Sequence, residues 1–236
     1  MSPPEQPSGA QAAGGGGGAG DPAIVPSQHY GRYAGLLALV ILVLITLNTI
    51  LTKPNGASGV SPGRQMPPFA VPLVRGSLVG AADVATRPNE GAAGRVPACE
   101  LREAQVLNVC QLYERGPVVL ALFIQGGSCA AILGDMQKLV PAFPGVQFAA
   151  VAIKGDRRSL RRLARAAGLT FPLGIDEEGS LAALYSLASC PQVTFAYPGG
   201  AVQSRALLQR PALADLRSRV ASLVAGSRAR GWSPAG

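Results

Sequence analysis

Two near-continuous apolar runs, Pro117-Val-Val-Leu-Ala-Leu-Phe-Ile124 and Val146-Gln-Phe-Ala-Ala-Val-Ala-Ile153, constrain this chain more than anything else in it. A strand with one wet face alternates polar and apolar residues, whereas an unbroken apolar strand has to be covered on both faces. Between the runs, Ile132, Leu133, Met136, Leu139 and Val140 recur at helical spacing, predicting a helix over about 129–143. The order then continues. Asp156 is an N-cap candidate for a helix with Leu160, Leu163, Ala164 and Ala167 on its apolar stripe, ended by Gly168. A short strand over 171–175 and a short helix over 181–187 follow. Strands at 193–197 and about 201–208 flank Pro198-Gly199-Gly200, a hairpin signal. Pro211 opens a last helix with Leu213, Leu216, Val220, Leu223 and Val224 on one face. This order predicts an α/β fold, a central sheet with helices on both faces.

Two cysteines fall at special points of that pattern. Cys129 follows the first apolar strand across a Gln-Gly-Gly-Ser turn and is expected to open the helix. A thiol at a helix N-terminus is acidified, because backbone N–H groups and the helix dipole favour the thiolate. Cys190 stands directly before Pro191, at the entrance to the strand over 193–197. The two together point to thiol–disulfide chemistry. Cys99 and Cys110 are eleven residues apart and suggest a local structural disulfide, with free buried thiols as the alternative. Four cysteines permit three pairings.

Several function classes lose support. His29 is the only histidine and lies outside the domain predicted to fold, which removes Ser-His-Asp and Cys-His catalysis and leaves no Cys–His spacing for a metal. No glycine-rich phosphate motif stands at a strand-to-helix turn, so no cofactor is expected. Arginine outnumbers lysine 18 to 3, a bias common in GC-rich bacterial genomes. Part of the +8 net charge sits at Arg157, Arg158, Arg161, Arg162 and Arg165, which at helical spacing read as a solvated basic face. Without interleaved aromatics or a known motif, this face gives no reason to expect nucleic acid.

The termini differ in composition from the middle. Residues 1–29 are rich in Gly, Pro, Ala, Ser and Gln and are expected to be a disordered tail. Residues 34–51 carry no charge and span about 27 Å as a helix, close to the apolar thickness of a bilayer. With Tyr30 and Tyr33 as interfacial aromatics, residues 30–53 read as a single-pass anchor in membrane lipid, and a cleaved leader is the alternative. Arg32 on one side against Lys53 and Arg64 on the other barely orients it. The even cysteine count favours an extracytoplasmic C-terminal domain. Residues 54–65 read as a linker, 66–226 as the domain with a loop over 80–98, and 227–236 as a frayed tail.

The element order, with Pro-Val-Val-Leu-Ala-Leu-Phe before the turn and Cys190-Pro-Gln-Val-Thr-Phe195 near the end, resembles the thioredoxin-like superfamily. The opening Pro67-Pro68-Phe69 with Leu73 and Gly76 is similar to its redoxin branch, the TlpA-like and AhpC/TSA proteins. The resemblance covers about 66–224 and implies a central mixed sheet flanked by helices. It places Pro191 at the family's cis-proline, whose preceding residue lies against the active-site cysteine. A Cys129–Cys190 disulfide, and an exchange site of Cys129, Cys190 and Pro191 acting on a protein thiol or disulfide partner, follow from it. The sequence departs from the family at two points. TlpA-like proteins carry Trp-Cys-x-x-Cys, but here Ile132 stands three residues after Cys129, with no tryptophan before it. Peroxide reductases place Thr or Ser three residues before their cysteine, where this chain has Gly126. A non-catalytic partner-binding module stapled by Cys129–Cys190 and a peroxide reductase acting through Cys129 are the alternatives.

Overall fold

The computed structural model describes residues 28–51, 59–204 and 206–234, in two compact units divided after Thr52. The expected disordered tail falls almost wholly outside the described residues. In the first unit the described residues form one helix, α1 (Gln28–Leu51). Its described side chains, 33–46, are exposed and largely apolar. Among the described residues no helix is long and apolar enough to cross a membrane.

The second unit is built around a four-stranded sheet. Its strands are β3 (Val118–Phe123), β4 (Gln147–Ile153), β5 (Leu173–Asp176) and β6 (Gln192–Ala196), in the spatial order β5-β4-β3-β6. β3, β4 and β5 run parallel and β6 runs antiparallel to β3, so the sheet is mixed. A separate ribbon pairs β1 (Ala70–Pro72) with β2 (Val106–Asn108), antiparallel. The helices are α2 (Val109–Arg115), α3 (Ala131–Leu139), α4 (Arg157–Ala166), α5 (Ser180–Leu184) and α6 (Leu213–Arg228).

Both sheet faces are covered, as the apolar runs require. Val119, Ala121 and Phe123 of β3 pack with Ile132, Leu133 and Met136 of α3, Leu160 of α4 and Leu216, Val220 and Leu223 of α6. Val118, Leu120 and Leu122 face the other layer, with Phe69, Val71, Leu107, Leu112, Leu181 and Tyr185. Phe69 and Tyr185 meet edge to face, with ring centroids 5.7 Å apart.

Local signals account for most boundaries. Asp156 caps α4, accepting from the Ser159 N–H at 2.7 Å. The hydrogen bonds from Ser159 hold its carboxyl below the usual carboxylate range. Gly168 ends the turn after α4 with a positive φ of 57°. The basic face differs from its expected role. Arg157 and Arg161 reach the carbonyls of Leu73, Val74 and Gly76, so two of its guanidinium groups bind the segment after β1.

Three boundaries move. The expected linker is already part of the domain from Gly59, whose N–H donates to the Ser186 carbonyl, while Met66 donates to that of Gly200. The expected strand over 201–208 is reduced to isolated pairings, Ala196 with Val202 and Val193 with Leu207. At the C-terminus, Ser227 is fully buried and Trp232 closes over Gly116 and Gly145, where a side chain at either glycine would collide. The chain end packs because Gly145 leaves it room, since a Cβ there would lie 3.0 Å from both Trp232 and Pro234, whereas one at Gly116 would meet the Gly145 carbonyl.

Candidate functional site

The register of β3 against β6 brings the site together. Leu122 pairs with Gln192 at the end of the ladder, so the chain entering β6 passes beside the chain leaving β3. Cys190 precedes β6, and its peptide bond to Pro191 is cis. Residues 124–128 form the turn after β3, with Gly126 and Gly127 at φ 110° and 55°, values that disfavour other residues. Cys129 lies at the end of that turn. Cys129 and Cys190 form a disulfide, their Cα atoms 5.4 Å apart and within the range such bridges require. Both residues are half-buried.

The two sulfurs have different surroundings. The Ile124 N–H donates to Cys190 Sγ at 3.1 Å. Cys190 also packs against the core layer beneath the sheet. Cys129 adjoins Gly126, Gly127 and Ser128, all exposed. It does not open the helix, as the sequence suggested. α3 begins at Ala131 with Ala130 as its N-cap, and Cys129 belongs to the preceding turn. The Ala131 N–H is taken by the Ser128 carbonyl and the Leu133 N–H by that of Ala130.

Residues with no place in the sequence reading hold the site in position. Gln125 Oε1 accepts from the Asp156 N–H at 2.6 Å, tying the turn to the start of α4. Asp135, on the buried stripe of α3, accepts from Arg210 Nε at 2.8 Å and from Lys138 at 3.3 Å. Arg210 belongs to the segment before α6, which also pairs Leu207 with Val193 and accepts the Ser189 hydroxyl at the Leu208 carbonyl. Asp135 thereby fastens to α3 the segment that flanks Cys190. The legible signal was an acid among Ile132, Leu133, Met136 and Leu139, since a buried carboxylate has to have partners.

Cys99 and Cys110 form the second disulfide, also with a Cα separation of 5.4 Å. It joins a short 3-10 turn at Ala98–Glu100 to the start of α2, on the opposite face of the sheet from the layer that holds Cys190. Among the described residues, no three His, Cys, Asp or Glu side chains are placed to share a metal ion.

The chain is similar to several solved structures. One is the thioredoxin domain of a thiol-disulfide oxidoreductase from Bacteroides vulgatus, at 12% identity and TM-score 0.51, covering 70% of this chain and 99% of that one. The fold is thioredoxin-like. Another such neighbour is a protein assigned as the thiol:disulfide interchange protein DsbE of Chlorobium tepidum, at 16% identity and TM-score 0.51, covering 71% of this chain and 97% of that one. A third, from Sinorhizobium meliloti and without an assigned activity, gives 13% identity and TM-score 0.53, covering 71% and 86%. No protein-family model and no curated protein matches the chain. On this thioredoxin-like frame, Cys129 has no cysteine three residues on, and its partner comes from 61 positions later in the chain.

Proposed function

We propose that this chain is a membrane-anchored thioredoxin-like protein that exchanges disulfides with a protein partner outside the cytoplasm. The observation that carries the reading is the Cys129–Cys190 bond at an exposed glycine turn beside Pro191. A disulfide in that position is open to an incoming thiolate, and the reaction uses only the sulfurs of the chain and its partner. Cys129 forms the mixed disulfide with the partner, Cys190 resolves it, and Pro191 shapes the groove where the partner lies. The uncharged run over 34–51, within α1, supports the anchor in membrane lipid. The four cysteines, all paired, suit an oxidising compartment.

The test is catalysed exchange on a disulfide-bonded peptide, followed for the full chain in detergent. Wild type is expected to accelerate exchange, and Cys129→Ala to reduce it to the uncatalysed rate while the far-ultraviolet spectrum stays that of a folded protein. Equal rates for the two proteins would favour the permanent staple of a non-catalytic binding module.

A further inference from the structure

Charge is divided unequally between the two layers that cover the sheet. α3, α4 and α6 pack on one face. They carry one, five and three basic residues, against two acids, Asp135 and Asp215. Asp135 is buried and already shared by Arg210 and Lys138. The stretches that cover the other face, 59–116 and 177–187, hold six arginines and seven acids. The +8 net charge is therefore concentrated on one side of the domain. The fold does not absorb all of it. Arg157 and Arg161 are committed to backbone carbonyls. Arg158, Arg162 and Arg165 are exposed, and no carboxylate pairs with them among the described residues. Exposed Arg217, Arg219 and Arg228 continue the basic layer on α6.

These cations stand on the surfaces of two helices of one layer, an extended face rather than a cleft. Such a face matches the headgroup plane of an anionic bilayer. Each arginine near that plane raises affinity about fivefold, and the attraction decays within about 10 Å. The chain also keeps the domain within reach of lipid. From Leu51, at the end of α1, to Gly59, the first described residue of the domain, a fully extended chain reaches at most about 30 Å.

We propose that the basic face of α4 and α6 docks on anionic phospholipid headgroups and holds the domain against the bilayer. This rests on the membrane anchor in the reading above and is independent of the exchange chemistry. Gln125 joins the turn before Cys129 to the start of α4, so docking through α4 also fixes that turn's distance from the lipid surface.

The test uses the full chain in nanodiscs of phosphatidylcholine, with and without phosphatidylglycerol. Arginine modification by phenylglyoxal, read by peptide mass spectrometry, reports which guanidinium groups are covered. Arg158, Arg162 and Arg165 are expected to react about fivefold more slowly in the anionic discs at low salt. The difference is expected to vanish at about 1 M salt, where the screening length is about 3 Å. Arg87 and Arg95, exposed in the other layer, are expected to react alike in both lipids. A variant with Arg158→Gln, Arg162→Gln and Arg165→Gln together is expected to lose the protection of Arg217 and Arg219 while its far-ultraviolet spectrum stays that of the wild type. Equal reactivity of the α4 arginines in the two lipids, or protection shared equally by Arg87 and Arg95, overturns the docking face and leaves the anchor standing. Protection of the same arginines by an acidic polypeptide, with none by anionic lipid, overturns it in favour of a protein partner. A chain that does not stay with neutral discs through gel filtration overturns the anchor, and the docking with it.

Discussion

Cys190→Ala is expected to stop turnover at a covalent intermediate, with the partner held on Cys129. In the wild-type protein Cys190, the proposed resolving residue, is already in place, its Cα 5.4 Å from that of Cys129. Without it, only an external thiol at ordinary concentration can resolve the intermediate. Well-oriented intramolecular groups act at effective concentrations far above any external reagent, so turnover is expected to fall by about 10²-fold or more. Cys129→Ala loses turnover as well but accumulates nothing. The comparison separates chemistry from stability, because both variants forgo the same bridge. A bridge across 61 positions stabilises the fold by about 4 kcal/mol in the chain-entropy account. Non-reducing electrophoresis with a disulfide-bonded peptide checks it: an adduct with Cys190→Ala and none with Cys129→Ala. Adducts of equal yield would mean that the two sulfurs are interchangeable.

Tyr185→Ala is expected to be the most destabilising single change away from the disulfides, at about 3–5 kcal/mol. The ring is fully buried against Phe69, and the phenol donates to the Pro67 carbonyl at 2.8 Å. Burial pushes the phenol well above its usual pKa, so it remains a neutral donor. The Tyr185 carbonyl accepts from Gln192 Nε2 at 2.9 Å, so the residue also anchors the stretch that leads to Cys190. Tyr185→Phe keeps the ring and loses the one hydrogen bond, about 1 kcal/mol. Urea unfolding of the three proteins gives both numbers. A Tyr185→Ala cost near that of Tyr185→Phe would show that the ring contributes little to this layer.

The elements legible in the sequence were those whose residues carry their own instructions. The unbroken run at 118–123 could only be a covered strand, and Asp156 and Gly168 marked the ends of α4. The hairpin after Tyr197 was legible as a turn, with the Gly200 N–H donating to the Tyr197 carbonyl, but its second strand was not. That strand reduces to isolated pairings because the segment turns away to meet α3 through Arg210 and Asp135. Arg157 and Arg161 looked like solvated charge because nothing in their helical spacing reveals distant backbone carbonyls. Trp232 looked like part of a tail because the gap that receives it depends on the missing side chain of Gly145, far away in the sequence. At the site, the two cysteines were legible and the hydrogen bond that sets their surroundings apart was not. It rests on a main-chain N–H, and every residue except proline has one.

Cys129–Cys190 is proposed as an exchangeable bond, unlike Cys99–Cys110. Its most direct test is a redox titration of the full chain in glutathione buffers, with each pair scored by peptide mass spectrometry. Structural disulfides of secreted proteins hold potentials below roughly −300 mV, whereas exchange proteins lie at about −120 to −270 mV. Cys129–Cys190 is expected to open within the second range while Cys99–Cys110 stays closed. A Cys129–Cys190 bond that remains closed below about −300 mV, together with its neighbour, would contradict it.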